Sequence, residues 1–397
     1  MAMANMSFDE FKETIAEEIK AFLPEKYEDA DISINTVQKN NEELTGITIR
    51  SSESNIAPNI YLDSYYDSYL DGESMEDIMQ NIADVRVEHE IEKPLAVDMI
   101  TDYEKAKDKV MPKIVGMEGN EKYLEDKPFT RMEDLAVVYY VDMGRLGGGV
   151  MSSPVTENLM ETWGVSTEEL HQTALSNMEA QSVSSFKSMH EMMMEMMLPD
   201  MVERFDGDKD AAREAISDMV PPDDGNMFIL TNQEKLNGAT ALLDTKIMGE
   251  ISERFGENFF ILPSSLHEVL IVPEKEGMEL SVLENMVQEV NATQVAPQDR
   301  LSDHVYKYDA QEQSVFRADR EAEHMAEKAA KLEAADRTGE KSDRVGMPEK
   351  NAAEKDQEVI KKRTSVKARL AEKQNIVAST ARKERPQAMG RAAEAAI

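Results

Sequence analysis

The chain has 397 residues, a formal net charge of −35 and no cysteine. A surface this acidic excludes a general nucleic-acid binder, which needs basic residues to displace counterions from phosphates. The lack of cysteine excludes disulfides, cysteine-based zinc sites and thiol catalysis. The N-terminus lacks the basic and apolar regions of a secretory signal, and the longest apolar run, 135–141, is too short to cross a bilayer. We therefore expect a cytoplasmic protein without a membrane span.

The charge is divided unevenly between the body and the C-terminal region. Residues 1–310 contain 25 basic and 63 acidic residues, whereas residues 311–397 contain 19 basic and 16 acidic residues. The second region is rich in Ala, Glu, Lys and Arg, which favour helix, but poor in the large apolar residues that build a core. We expect 310–397 to be a tail, partly disordered and partly exposed helix at 317–335 and 349–383. Such a tail is either a solvated extension or an arm that folds on a partner.

The first predicted unit, residues 1–93, begins with a helix. Ser7 and Glu10 form the pattern of a capping box, and apolar residues follow at helical spacing. Two strands, near 31–38 and 44–50, are separated by Asn40-Asn41, residues that suit a turn. A further helix, capped by Ser74, extends to about residue 91. Helix, hairpin and helix predict an α+β unit.

The second predicted unit, residues 94–183, has the same mixed character. Its apolar patterns and capping residues predict, in chain order, a strand at 95–100, a helix from Thr101 to about 115, a strand at 135–143, a helix beginning at Ser153-Pro154 and a helix beginning at Ser166. The glycine-rich stretch 144–149 lacks the spacing of a phosphate-binding loop. We interpret it as a turn.

Residues 184–221 are predicted to be a helical segment without a strand. Seven of the thirteen residues 189–201 are methionine, and four share one side of a helix: Met189, Met193, Met196 and Met197. This face either packs onto the body or forms a flexible partner surface. Thioethers at this spacing also suit Cu(I), but such sites are typical of exported proteins, so we assign no metal here.

The third predicted unit, residues 222–309, completes an α+β fold built from several small mixed units. The expected elements are a strand at 227–230, a helix at 242–255, a hairpin at 259–262 and 268–272, a helix at 278–290 and an edge strand at 301–308.

No catalytic signature, cofactor motif or histidine spacing of a metal site stands out. If a site exists, eight polar positions are its candidates: Asn232, Lys235, Ser264, Ser265, His267, Glu268, Asp303 and His304. We expect Ser264 and Ser265 to bond backbone groups at the hairpin turn, and His267 to be structural. A site at His267 would require a neighbouring carboxylate, Glu268 or the more distant Asp303.

Several stretches, taken together and in this order, resemble the bacterial domain-of-unknown-function family 5688. They are LTGITI (44–49), NIAPNIYL (55–62), LTN (230–232), ILPSSLHEV (261–269), VNATQVAP (290–297) and LSDHVY (301–306). The resemblance covers about residues 7–309, so the methionine-rich segment and the tail are departures or additions. It implies a gut-bacterial protein that is often encoded near mobile or conjugative elements, and it implies no activity.

Three functions stay open at this point. The first is a non-catalytic protein-binding or accessory factor of a bacterial mobile element, with an unknown protein partner. The second is an acidic mimic of DNA that inhibits a DNA-binding protein, and the third is a metal-dependent hydrolase. A cleft that gathers at least three of Asn232, Lys235, His267, Glu268, Asp303 and His304 would favour the hydrolase, and their separation would favour binding.

Overall fold

The computed structural model describes residues 5–52, 54, 57–90, 98–146, 149–256, 258–263, 265–275 and 277–342, with only the helix backbone for 333–342. Within these ranges helices alternate with antiparallel sheets, so the predicted α+β class is confirmed. The described residues up to Met325 form one packed unit, and those from Ala326 onward belong to a second.

The N-terminal layer packs three helices on a three-stranded sheet. Ser7 and Glu10 form the predicted capping box. The elements are α1 (Phe8–Glu18), β1 (Asp31–Lys39), β2 (Glu42–Arg50), β3 (Asn59–Tyr61), α2 (Asp63–Leu70) and α3 (Met75–Glu88), with strand order β1-β2-β3. Phe11, Ile15 and Ile82 bury their side chains against Ile47 and Ile49. The layer therefore has an apolar core of its own.

A four-stranded sheet follows, with one long strand at its centre. The elements are α4 (Asp98–Thr101), α5 (Tyr103–Ala106), β4 (Val110–Gly116), α6 (Glu121–Leu124), β5 (Phe129–Met132), β6 (Leu135–Leu146), β7 (Gly149–Pro154), α7 (Glu157–Trp163) and α8 (Thr167–Gln181). Strand β6 pairs with β4, β5 and β7, all antiparallel. Helix α8 begins at the predicted Ser166 capping box and buries Leu170 and Ala174 in the same core.

Three sequence-based assignments in this region were wrong. Asp98–Thr101 is helix rather than strand, while 95–97 lie outside the described residues. The helix expected to reach 115 ends early, because Pro112 cannot continue it and Val110–Gly116 pairs with β6 instead. Ser153-Pro154 closes strand β7, and the next helix is capped by Thr156. In the last two cases strand pairing overrides a local helix signal.

A six-stranded sheet forms the third layer. Its strands are β8 (Ser184–Ser188), β9 (Phe228–Asn232), β10 (Phe259–Leu262), β11 (Val269–Pro273), β12 (Tyr306–Asp309) and β13 (Ser314–Arg317), in the order β13-β12-β10-β11-β9-β8. Two helices accompany them, α11 (Thr245–Phe255) and α12 (Leu280–Thr293). The predicted hairpin of β10 and β11 is confirmed.

Two expectations about this sheet were wrong. Residues 184–188 form an edge strand although no strand was expected between 184 and 221, because β9 supplies a partner for their backbone groups. Strand β12 is not at the edge, since β13 pairs with its outer side. The sheet therefore continues past residue 309.

The methionine-rich segment forms helix α9 (Met189–Arg204), which pairs with α10 (Lys209–Met219). The two helices share a small apolar core. Met192 and Met201 are 4% and 8% exposed, whereas Met193 and Met196 are 37% and 66% exposed. Met189 and Met197 are half-buried. The four methionines of the predicted face are therefore half-buried or exposed, and the buried side of the helix carries Met192 and Met201 instead.

Replacing the buried Met192 by Ala should lower the free energy of unfolding by about 2–5 kcal/mol, because the deleted atoms leave a cavity. Met196→Ala is the matched control, since its side chain is mostly exposed, and the expected change is within about 0.5 kcal/mol. Urea denaturation followed by circular dichroism measures both. Equal losses would contradict this division of the helix.

The last described element is helix α13 (Glu321–Ser342), which begins four residues after the predicted start at 317. The second predicted tail helix, 349–383, lies outside the described residues. None of the helices in the described part combines the length and the apolar character that a bilayer span needs.

Candidate binding cleft

An open cleft of about 1180 Å³ lies within the body. One side is the β1–β2 hairpin, and another is the sheet of β4, β6 and β7. The third side consists of short segments around Asn237, His267 and Asp299. All three layers of the fold therefore contribute to one concave surface.

Three asparagines fix the hairpin beside this third side. The Asn40 amide donates to the carbonyl oxygens of Gln298 and Arg300 at 2.9 and 3.0 Å. The Asn120 amide donates to the side-chain oxygens of Asn40 and Asn41 and to the carbonyl of Gly116, at 2.8–3.0 Å. We call these three residues the asparagine junction.

The backbone of the turn completes this junction. Asn41 has a φ of 59°, in the left-handed region that asparagine tolerates better than most residues. Its backbone N–H donates to Asn120 Oδ1 at 2.7 Å. Asn40 and Asn120 are buried, so their amides depend on these protein partners rather than on water. The turn predicted at Asn40-Asn41 is confirmed and also anchors the cleft.

Asn120→Ala should lower the free energy of unfolding by about 1–3 kcal/mol or more, because it leaves buried acceptors and donors unpaired. Exchange of the Asn41 amide hydrogen should also become faster, since its acceptor is removed. Asn81→Ala is the control, because the exposed Asn81 bonds only Glu73 among the described residues. Hydrogen exchange by NMR measures the local effect, and an unchanged Asn41 amide would contradict this role of the junction.

Lys113 lies in the cleft and has unusual electrostatic surroundings. It lies on β4 opposite Val138. The alternate residues Val110, Pro112 and Ile114 are buried on the other face of the strand. No hydrogen bond or ion pair joins the Lys113 side chain to another residue within the described ranges. Burial, together with the nearby charge of Lys39, lowers its pKa to about 8, while Asp299 acts in the opposite direction.

This lowered pKa makes stability depend on pH in a defined direction. Between about pH 8 and 10.5 the unfolded lysine holds a proton that the folded one has released, so stability rises with pH there. Lys113→Met should therefore stabilise the protein at pH 7, by up to roughly 3 kcal/mol. That gain should shrink as pH rises above 8. Lys122→Met, at an exposed cleft lysine, is the control in denaturation measurements across this range, and a gain independent of pH would contradict the assignment.

His267 is held by protein groups at both ring nitrogens. The backbone N–H of Asn237 points at Nδ1 at 3.1 Å, and because an amide N–H can only donate, Nδ1 carries no proton. The proton is therefore on Nε2, which lies 3.3 Å from Asp299 Oδ1 and donates to it. Both ring nitrogens are therefore engaged by protein groups.

The segments around His267 approach each other closely. The Thr231 hydroxyl donates to the His267 carbonyl at 2.6 Å. A Cβ added at Gly238 would lie 2.1 Å from Thr231 Oγ1 and 2.2 Å from that same carbonyl oxygen. Position 238 therefore requires glycine because there is no space for a side chain. Burial also raises the pKa of the neighbouring Tyr140, and its hydrogen bond with Asn237 opposes this shift.

Gly238→Ala should destabilise the protein by about 1–3 kcal/mol, because backbone and side-chain atoms must move to admit the methyl group. Gly249→Ala is the matched control in helix α11, where an added Cβ meets nothing within 4 Å. There alanine should stabilise by up to about 1 kcal/mol through its helix propensity. Guanidinium denaturation distinguishes the two, and a neutral Gly238→Ala would contradict the close approach.

Several sequence-predicted site residues lie around His267, although only His267 itself lines the cleft. Ser265 accepts the His267 backbone N–H at 3.0 Å, as expected for a turn hydroxyl. Asn232 bonds the backbone of Leu236, and Lys235 donates to the Met192 sulfur. The Glu268 carbonyl accepts from Ser265. Ser264 lies outside the described residues. The carboxylate beside His267 is Asp299 rather than Glu268 or Asp303.

Asp303 and His304 belong to a separate network. Asp303 accepts from Asn291 at 2.8 Å. His304 Nδ1 faces the Arg317 guanidinium at 3.2 Å, and Arg317 also bonds Asp134 at 3.2 Å and Asp319 at 2.6 Å. Bonds to Asp319 hold the Arg317 pKa above its usual range. The network ties β13 to the rest of the body.

The sequence analysis did not predict one cluster of side chains of the kinds that bind metal ions. Asp309, Glu312 and His324 place ligand atoms within 4.8 Å of one another. Asp309 also accepts the backbone N–H groups of Gln311 and Glu312, and His324 stacks on Phe316 with 3.9 Å between the ring centroids. These contacts give each residue a structural role in the β12–β13 turn.

The comparison with protein families identifies the chain. A family model described as a family of unknown function, DUF5688, matches residues 8–310. The chain belongs to this family. No curated protein and no solved structure matches it. The resemblance seen in the sequence motifs is therefore confirmed, and strand β13 (Ser314–Arg317) lies just beyond the matched family region.

Sequence reasoning missed the residues that build the cleft. Lys113 stands in a segment predicted to be helical, and Asp299 stands in a loop without a motif. Asn40 and Asn41 were seen only as a turn. Their partner Asn120 lies 80 residues from Asn40 and gave no local signal. Buried polar residues in long-range contact are invisible to periodicity.

Proposed function

We propose that the protein is a non-catalytic binding protein, an accessory factor that holds an anionic group of a partner in the cleft. The observation that carries this proposal is Lys113, a half-buried lysine that lines the cleft without an ion-pair partner among the described residues. A charge that is partly withdrawn from water is normally paired. An anion bound beside Lys113 and Lys39 would supply the missing partner and relieve the repulsion between the two lysines.

The separation of the predicted site residues also supports binding over catalysis. His267 has both ring nitrogens engaged by Asn237 and Asp299. Asp303 and His304 bond instead to Asn291 and Arg317. A hydrolase would need a free base beside a metal or a nucleophile, and these residues do not supply one. The proposal places the partner among the proteins of a mobile element, as the family resemblance implies.

Titration calorimetry with glutarate and with inorganic phosphate tests this proposal. We expect saturable binding at pH 7 that weakens as pH rises past 8, because the Lys113 ammonium then loses its proton. Lys113→Met should weaken binding at least tenfold.

Lys122→Met provides the matched control, since Lys122 lines the same cleft but pairs with Glu43. The affinity of the Lys122→Met variant for either anion should equal that of the unaltered protein. An equal loss of affinity in both variants would contradict an anion site at Lys113. So would a titration in which neither anion gives saturable binding.

A further inference from the structure

The strand β1 presents an unpaired edge to the cleft. It is an outer strand of the N-terminal sheet, and β2 is its one partner among the strands that the structure describes. Lys39 and Glu42 flank the two-residue turn and pair with each other. In such a hairpin these flanking residues exchange both hydrogen bonds, and the bonding positions alternate along the strand. The backbone N–H and C=O groups of Thr36 and Gln38 therefore point away from β2.

The lining of the cleft agrees with this geometry. Thr36, Val37, Gln38, Lys39 and Asn40 all border the cleft, as one consecutive run. Successive side chains of a strand point to opposite faces of its sheet. The outer face of the sheet also lines the cleft, through Leu44 and Tyr61, so the edge of β1 and this face border the same space. The free donors and acceptors of Thr36 and Gln38 are thus available in the cleft.

An open edge of this kind binds an extended chain by adding it as a further strand. The cleft also contains carboxylates, among them Glu42, Asp63 and Asp299, so its lysines define the positions at which an acidic side chain of the added chain would pair. Lys39 and Lys113 both line the cleft, and neither has an ion-pair partner among the described residues. A carboxylate on the added strand would pair with them.

We infer that the cleft binds an extended peptide segment of a partner protein, which adds to β1 as a fourth strand and places a carboxylate at Lys113. This inference rests on the proposed function and specifies its partner. Backbone bonds to Thr36 and Gln38 give affinity with little dependence on sequence, whereas the carboxylate sets position and register.

The test begins with a phage-displayed library of random twelve-residue peptides, selected on the full chain and then counter-selected on the Lys113→Met variant. Enriched peptides should contain Asp or Glu and should lose at least tenfold in affinity for Lys113→Met. Hydrogen exchange by NMR then follows single backbone amides with a synthetic peptide bound. Exchange at Thr36 and Gln38 should slow at least tenfold, while Asn35 and Val37, already paired with β2, should change little.

A second measurement uses the same peptide with N-methyl groups on alternate residues. Methylation in one of the two alternating sets should abolish binding, because it removes the donors that face β1, and methylation in the other set should be tolerated. Equal effects of both sets would overturn strand addition.

The outcomes separate this inference from the proposed function. Peptides that bind without slowing exchange at Thr36 and Gln38 would overturn strand addition and leave anion binding at Lys113 intact. An absence of enriched peptides would overturn the peptide inference, whereas titration with glutarate and phosphate judges the anion site independently. Without peptide, hydrogen exchange at Thr36 and Gln38 is compared at several protein concentrations. Slower exchange at higher concentration would show that a second copy of the chain occupies the edge, and this result would also overturn the peptide inference.

Discussion

The cleft depends on the bonds of three asparagine side chains, of which Asn40 and Asn120 are buried and Asn41 is half-buried. Asn40, Asn41 and Asn120 satisfy one another and the carbonyls of residues 297–300, so the hairpin tip has one well-bonded position. The same short segment places Asp299, whose carbonyl accepts the backbone N–H of Leu266 at 2.7 Å. Asp299 then orients His267, and His267 accepts from Asn237. A chain of directional bonds thus extends from the hairpin to the far wall. Directional bonds of this kind specify a unique arrangement more strictly than apolar contact does.

The electrostatics of the cleft contrast with those of the whole chain. A net charge of −35 favours any cation at the surface, yet Lys113 is withdrawn into the body, where burial opposes its charged form. Such an arrangement lowers stability in the free protein. It becomes favourable when a ligand supplies the opposite charge, because binding to the folded state alone stabilises that state. The unfavourable surroundings of Lys113 are thus consistent with a site prepared for an anion.

The sequence predicted elements where local signals and long-range pairing agree. The capping boxes at Ser7 and Ser166, the hairpin of β1 and β2 and the hairpin of β10 and β11 were all located. It failed where pairing with a distant strand decided the structure, as for β4 and β8. The site was predicted less well than the fold, because Lys113, Asp299 and Asn120 meet only through tertiary contacts. His267 was selected correctly as a position of interest, but its actual carboxylate partner, Asp299, could not be read from spacing.

The asparagine junction also has a consequence for the order in which the protein folds. Asn40 and its acceptor on Gln298 are 258 residues apart in sequence. During synthesis the N-terminal layer, which has an apolar core of its own, leaves the ribosome long before residues 297–300. Its hairpin tip, however, must keep its amides in water until residues 297–300 leave the ribosome. Contacts of such large sequence separation form slowly because long loops must close first. The cleft is therefore a late feature of biogenesis, because a nascent chain or a fragment that ends before residue 297 lacks the acceptors that hold the hairpin tip.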